Sequence, residues 1–295
     1  VPLTLSCSKM ARQSRQALDI KCGGILRWIL AEIILLGIIG SFTVLICIPA
    51  WSMEKTDAID TNRPSFMFSP LVVPQGSLQL ENGVQYKYFQ HGRNFFNVSE
   101  TQVRLGLLKN TEFQMFVPNF VLLTTRVANA PDQVLAGVSD LQEVGFKQQI
   151  PFKKLPKLSL SVVGSVNIPT GRRFISGPGV QPVIRIPYGY ALGKYSLMGM
   201  QTVAVINSGR DVVYSPDAMI TRAVGNKTSV FIEYLGVFTH QAPSINIAHF
   251  GAEYKPRRNH EVDLHFGFGL NKTAPAAFVG AGYSYRFDGL PWGNN

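Results

Sequence analysis

The chain has 295 residues, 16% of them charged, with 27 glycines, 10 tyrosines, 19 phenylalanines and a formal net charge of +10. Soluble domains carry roughly 25% charged residues, so an ordinary solvated exterior is disfavoured. The basic excess is scattered rather than gathered on one face, which argues against nucleic acid. The three cysteines, Cys7, Cys22 and Cys47, all precede residue 50 and leave the rest of the chain without a disulfide framework or a cysteine metal site.

Lys9, Arg12, Arg15, Lys21 and Arg27 precede an apolar run at 33–50, followed by Ala50-Trp51-Ser52. A basic region, an apolar stretch and a small-residue triplet predict a secretory signal peptide over 1–52, with Met10 as an alternative start. The run is also about long enough to cross a bilayer as a retained helix. Residues 53–76 read as a periplasmic lead-in.

From residue 77 onward the pattern has period 2, the signature of β-strands. The segments fall at 77–90, 100–108, 111–122, 140–150, 157–168, 181–191, 195–207, 217–225, 228–238, 245–255, 260–270 and 276–287. A tilted strand needs about 9–11 residues to cross a bilayer, and most of these segments have that length. Short links (109–110, 192–194, 226–227) alternate with longer ones (123–139, 169–180, 208–216). Bacterial outer-membrane barrels combine short periplasmic turns, longer external loops and an even strand count. The fold class expected is therefore an all-β, antiparallel transmembrane barrel of about twelve strands over 77–287, with a periplasmic tail at 288–295. The Gly177-Pro178-Gly179 run belongs to a loop.

The faces of these strands set the sidedness. In VDLHFGFGL, Val262, Leu264, Phe266, Phe268 and Leu270 share one face; Asp263, His265, Gly267 and Gly269 share the other. The polar faces carry glycine, serine and isolated charges, too sparse for a soluble protein's wet surface. The apolar faces carry aromatic residues near strand ends, as interfacial girdles do. A soluble barrel or sandwich with its apolar side inward is the alternative, because alternation is symmetric between the two arrangements.

The stretches ETQVRLGLLKNTEFQMFV (100–117), GVSDLQEVGFKQQIP (137–151), LSVVGSVNIPTG (160–171) and DLHFGFGLNKTAPAAFVGAGYSYRF (263–287) resemble a bacterial envelope family, the outer-membrane transporters of the phenol-degradation meta-pathway type. The resemblance spans about 77–287. It is most specific at Gly137, Ser139, Asp140, Gly145 and Lys147, then at Pro169, Thr170 and Gly171. It implies a β-barrel that passes small molecules, aromatic ones among them, and brings no catalytic residue and no cofactor. Tyr283, Tyr285 and Phe287 supply the alternating aromatic ending that the barrel-assembly machinery reads. Outer-membrane lipid, lipopolysaccharide and a small solute are the other expected partners.

The inward faces are expected to collect Glu81, Lys87, Arg104, Glu112, Glu143, Lys147, Arg185, Arg222, Glu233, His249, Glu253, Asp263, His265 and Arg286. Ionisable groups at membrane depth mark a pathway when they line it; they also rigidify a plugged barrel when they pair. Both readings stand at this point. His249, Glu253, Asp263 and His265 share one predicted face and suggest a metal or acid/base cluster, against ordinary polar lining. Ser284 and His265, on adjacent strands, are the one pairing that hints at a barrel enzyme.

Overall fold

The computed structural model describes residues 57–127, 131–172 and 175–293. The expected signal segment at 1–52 lies outside the described residues. Alternating apolar and polar residues form fifteen strand segments: β1 (Leu78–Phe89), β2 (Arg93–Val98), β3 (Gln102–Leu108), β4 (Thr111–Phe116), β5 (Phe120–Thr125), β6 (Gln133–Val138), β7 (Leu141–Gln149), β8 (Leu158–Ile168), β9 (Gln181–Leu192), β10 (Tyr195–Ile206), β11 (Asp211–Val224), β12 (Thr228–Val237), β13 (Ile245–Arg257), β14 (His260–Gly269) and β15 (Ala277–Phe287). Every strand pairing is antiparallel, and β15 pairs with β1 from Leu78↔Phe287 to Tyr88↔Ala277, so the sheet closes on itself. Closure through β1 and β15 leaves the ring itself without a free edge, as a bilayer requires, and β6 remains an edge above it.

The fifteen segments make twelve staves. The segments β2 and β3 run end to end as one stave, as do β5 with β4 and β6 with β7: β2 pairs with β5 and β5 with β6, while β3 pairs with β4 and β4 with β7. The three breaks lie side by side, because Val98, Phe120 and Val138 occupy one row. Ser99 has φ 60° there, a conformation that interrupts a ladder. Pro118 has no N–H to give, and Asn97, Asn119 and Ser139 hydrogen-bond to one another across the crease. Beyond it, β2, β5 and β6 stand as a three-stranded flap at the long-loop end.

These segments correct three expectations. The link between the segments expected at 77–90 and 100–108 contains β2, the stretch 123–139 contains the end of β5 and all of β6, and β11 begins at Asp211 rather than 217. Polar residues such as Arg93, Asn94, Thr124 and Gln133 masked the strand pattern. The described residues of the link at 169–180 form no strand or helix, as the sequence indicates.

The faces are inverted relative to a soluble protein. Leu264 is 61% exposed and Phe266 55%, whereas Arg104, Glu112 and Lys147 are 0% exposed. Outward side chains form the apolar belt of a membrane barrel. Tyr190 and Tyr195 flank the 193–194 turn at one end, and Tyr214 and Phe238 stack at the other, with ring centroids 6.4 Å apart. The sandwich alternative is excluded, since that arrangement would bury the belt and expose the charges.

Residues 57–76, expected as a periplasmic lead-in, instead lie in the lumen. They enter beside the short turns, where Ile59 N–H donates to the Arg258 carbonyl, and return to the wall where Gly76 N–H donates to Gly106 O at 2.9 Å. Met67 and Phe68 bury against inward Val163, Met200, Met219 and Phe231. Phe66 packs against Phe278 at 5.6 Å between centroids. The wall makes room for the plug: a Cβ on Gly106 would come within 1.9 Å of Pro74 O, and one on Gly83 within 2.1 Å of the Arg63 guanidinium carbon.

Candidate functional site

The lumen and its plug form the candidate site. Acidic side chains on the wall hold the plug largely by its backbone. Glu81 Oε2 accepts from the N–H groups of Asn62 (2.9 Å) and Arg63 (3.1 Å). Glu233 Oε1 accepts from Phe66 N–H (3.0 Å) and Met67 N–H (3.0 Å). Glu112 Oε2 accepts from Val73 N–H at 2.6 Å. A carboxylate that accepts several N–H bonds makes charge-assisted contacts, roughly twice as strong as neutral ones.

These carboxylates sit in a paired network. Arg104 grips Glu112 with two nitrogens (Nε 2.9 Å, Nη2 3.0 Å) and donates to Glu81 at 2.9 Å. Its remaining donors reach the plug carbonyls of Asp60 (2.9 Å) and Leu71 (3.1 Å). Lys147 reaches Glu112 at 3.0 Å, and its ammonium lies 5.7 Å from the centre of the Phe68 ring. The Arg185 guanidinium lies over the same ring at 4.8 Å while pairing Glu143 at 2.7 Å. From the plug, Arg63 answers Glu100 (2.9 Å) and Asp263 (3.2 Å). In this network buried charge is tolerated because Arg63, Arg104, Lys147 and Arg185 each face a carboxylate.

Of the residues assigned to the lumen from sequence, Glu81, Arg104, Glu112, Glu143, Lys147, Glu233, His249, Asp263, His265 and Arg286 are buried on the inner wall. Arg185 and Glu253 are partly buried there, and Lys87 sits higher on the inner face of β1. Arg222 is a correction. It lies opposite Tyr195 and Val230, both outward, with its guanidinium 5.6 Å from the Tyr195 ring centre. The strand phase puts Met219 and Thr221 inward instead; near a turn a long cation on the outer face reaches the interface.

The four-residue cluster divides in two. His249 Nδ1 bonds Glu233, and its Nε2 lies 2.8 Å from His265 Nδ1. Glu253 and Asp263 sit opposite each other further along and turn to Ser229 and Arg63. Among the described residues no group of three or more such side chains has the geometry of a metal site. Ser284 lies opposite Glu261 whereas His265 lies opposite Gly280, so register separates that pair.

The family-motif residues fasten a loop to the crease. Asp140 Oδ1 accepts from Gly171 N–H (2.9 Å) and Oδ2 from Gly177 N–H (3.1 Å). Thr170 Oγ1, next to Pro169, accepts from Leu141 N–H at 2.9 Å. Ser139 Oγ accepts from Asn119 N–H at 3.0 Å. Gly145 lies opposite Ser165, and Gly137 continues the β6 edge, where Arg172 N–H bonds Val138 O at 3.0 Å. Tyr283, Tyr285 and Phe287 face outward on β15.

Cavities open on the inner side of the wall. One of about 230 Å³ at the long-loop end is lined by Arg93, Phe95, Val121, Leu123, Leu135 and Ile175. Another of about 200 Å³ lies towards the short turns between the plug and β10–β13, with Met198, Met219, Glu253 and Lys255 on its wall.

Sequence reasoning missed the plug and the apolar cavity. The Phe66-Met67-Phe68 run was a usable signal, since such residues seldom lie in a solvated leader.

The barrel is similar to solved structures. The COG4313 outer membrane channel from Pseudomonas putida F1 superposes with a TM-score of 0.53 at 14% identity, covering 74% of this chain and 97% of that one. Looser likenesses include the NanC porin (TM-score 0.44, 8% identity, 72% and 100% covered). Another is the KdgM porin in complex with disordered oligogalacturonate (0.44, 11%, 72% and 99%). No curated protein matches the chain. The profile of a family described as "Putative MetA-pathway of phenol degradation" matches residues 61–287, from inside the plug to the last residue of β15. The chain belongs to that family, and its fold is the closed barrel of outer-membrane channels.

Proposed function

We propose that the protein is a passive outer-membrane channel for small solutes, with residues 57–76 as its constriction. The observation that carries this reading is the way the plug is held: wall carboxylates Glu81, Glu112 and Glu233 accept its backbone N–H groups. On this reading the plug shifts during passage, with water taking over these hydrogen bonds. The short turns, the start of β1 and the end of β15 face the periplasm. Outward aromatics meet lipid and lipopolysaccharide, and Tyr283, Tyr285 and Phe287 are the ending read by the assembly machinery. The solutes include aromatic compounds, in keeping with the description of the family.

Glu233→Ala removes the acceptor for Phe66 and Met67. In planar bilayers wild-type protein should give small discrete openings and the variant larger ones. A second reading, a barrel filled for rigidity, draws on the complete burial of Arg104, Glu112 and Lys147. It predicts no openings from either protein, and that result would replace the channel reading.

A further inference from the structure

The lumen is polar along most of its wall, but the flap is not. Phe95, Leu123 and Leu135 are direct neighbours across β2, β5 and β6, and form one apolar rung on the inner face. Val121 beside the rung and Ile175 from the 169–180 loop complete the wall of the 230 Å³ cavity. An inward apolar rung does not help the barrel meet lipid, and the plug's buried apolar residues pack elsewhere, against Val163, Met200, Met219 and Phe231.

The cavity is also electropositive. Arg93 is part of its lining, and no carboxylate is. The Arg93 guanidinium lies over Phe89 at 5.1 Å from the ring centre, and among the described residues its N–H donors have no carboxylate partner. Lys87, directly opposite Phe95, holds its ammonium 5.6 Å from that ring's centre. The nearby carboxylate Glu100 is engaged by Arg63 and Asn97. Drug-sized sites occupy roughly 300–1,000 Å³, so the space suits one ring rather than two.

We propose that this cavity at the long-loop end is a binding site for small aromatic carboxylates, with the ring against Phe95, Leu123 and Leu135 and the carboxylate on Arg93. The proposal deepens the channel reading by naming a solute class; it rests on that reading for the purpose of the site, not for its existence. A guanidinium binds a carboxylate through two parallel N–H bonds and discriminates it from a neutral amide of the same shape.

The test is a fluorine NMR titration of the full chain in detergent micelles with 4-fluorobenzoate and, separately, 4-fluorobenzamide. The acid should bind saturably and the amide about tenfold or more weakly, as the loss of a charge-assisted pair implies. Arg93→Gln should weaken the acid by about tenfold and leave the amide unchanged. Leu135→Trp should abolish both by filling the cavity. Lys194→Gln, in a short turn at the far end, should change neither. Folding of each variant is checked by its heat-modifiable gel mobility. Equal affinities for acid and amide, or wild-type binding of the acid by Arg93→Gln, would overturn the proposal. Discrete conductance without benzoate binding would sink the site and spare the channel. Arg93-dependent binding in a barrel that never conducts would do the reverse.

Discussion

At the scale of single residues, Glu112 has the most at stake. It is fully buried, takes two bonds from Arg104 and one from Lys147, and caps Val73 of the plug. Breaking a buried ion pair from one side strands the partner charge and costs about 3–5 kcal/mol. Glu112→Ala takes the carboxylate from Lys147 and leaves Arg104 with Glu81, so its urea midpoint on refolding into lipid vesicles should fall by about that equivalent. Loss of a surface pair costs about 0–1 kcal/mol, and a drop of that size would show that Glu112 is solvated in practice. The sequence indicated that Glu112, Arg104 and Lys147 point inward, because phase along a strand follows from alternation. It did not show that they touch, because contact depends on stagger between strands distant in the chain. Arg222 shows the weakness of phase itself. One misplaced strand start, 217 for Asp211, left a segment too short to fix which face its last residues occupy.

At the scale of elements, the crease and the loop beside it depend on Asp140. Its carboxylate takes the N–H groups of Gly171 and Gly177 and holds the 169–180 loop over the β6 edge. Asp140→Ala leaves those donors unpaired, at a cost of about 1–3 kcal/mol for such groups. Limited trypsin digestion should then cut after Arg172 faster than in wild type, while cuts in the 193–194 turn keep their rate. Equal rates at both places would mean that the Arg172 backbone bond to Val138 holds the loop alone. The residues that make this fastening were legible as a motif; their job was not, since Asp140 meets its partners across a stretch of chain whose path a sequence does not show. The flap was hidden for a different reason. Arg93, Asn94, Thr124 and Gln133 break the apolar alternation, so β2, β6 and the second half of β5 resembled loops until pairing gave them partners.

At the scale of the whole molecule, the belt of outward Leu, Ile, Val and aromatic residues decides between lipid and water. An arginine at the middle of the lipid face of a barrel costs about 2–4 kcal/mol, falling to about 0–1 near the interface. Leu264, midway along β14, is the test position: Leu264→Arg should lower stability in vesicles by the larger amount, and Tyr195→Arg, beside a turn, by the smaller. Equal effects would place the belt out of hydrocarbon. The barrel, its stave number and its sidedness were readable because period 2, segment length and sparse charge all point one way. The plug was not, because residues 57–76 carry no period, and what holds them lies in carboxylates encoded from Glu81 to Glu233.

The last strand closes on the first, and the first is joined to the segment that fills the bore. Nothing can be added to such a cylinder afterwards except through its mouths, so the order of construction matters. The segment leading into β1 is either tucked against the growing wall before the final seam zips shut or threaded in afterwards through the mouth beside the short turns.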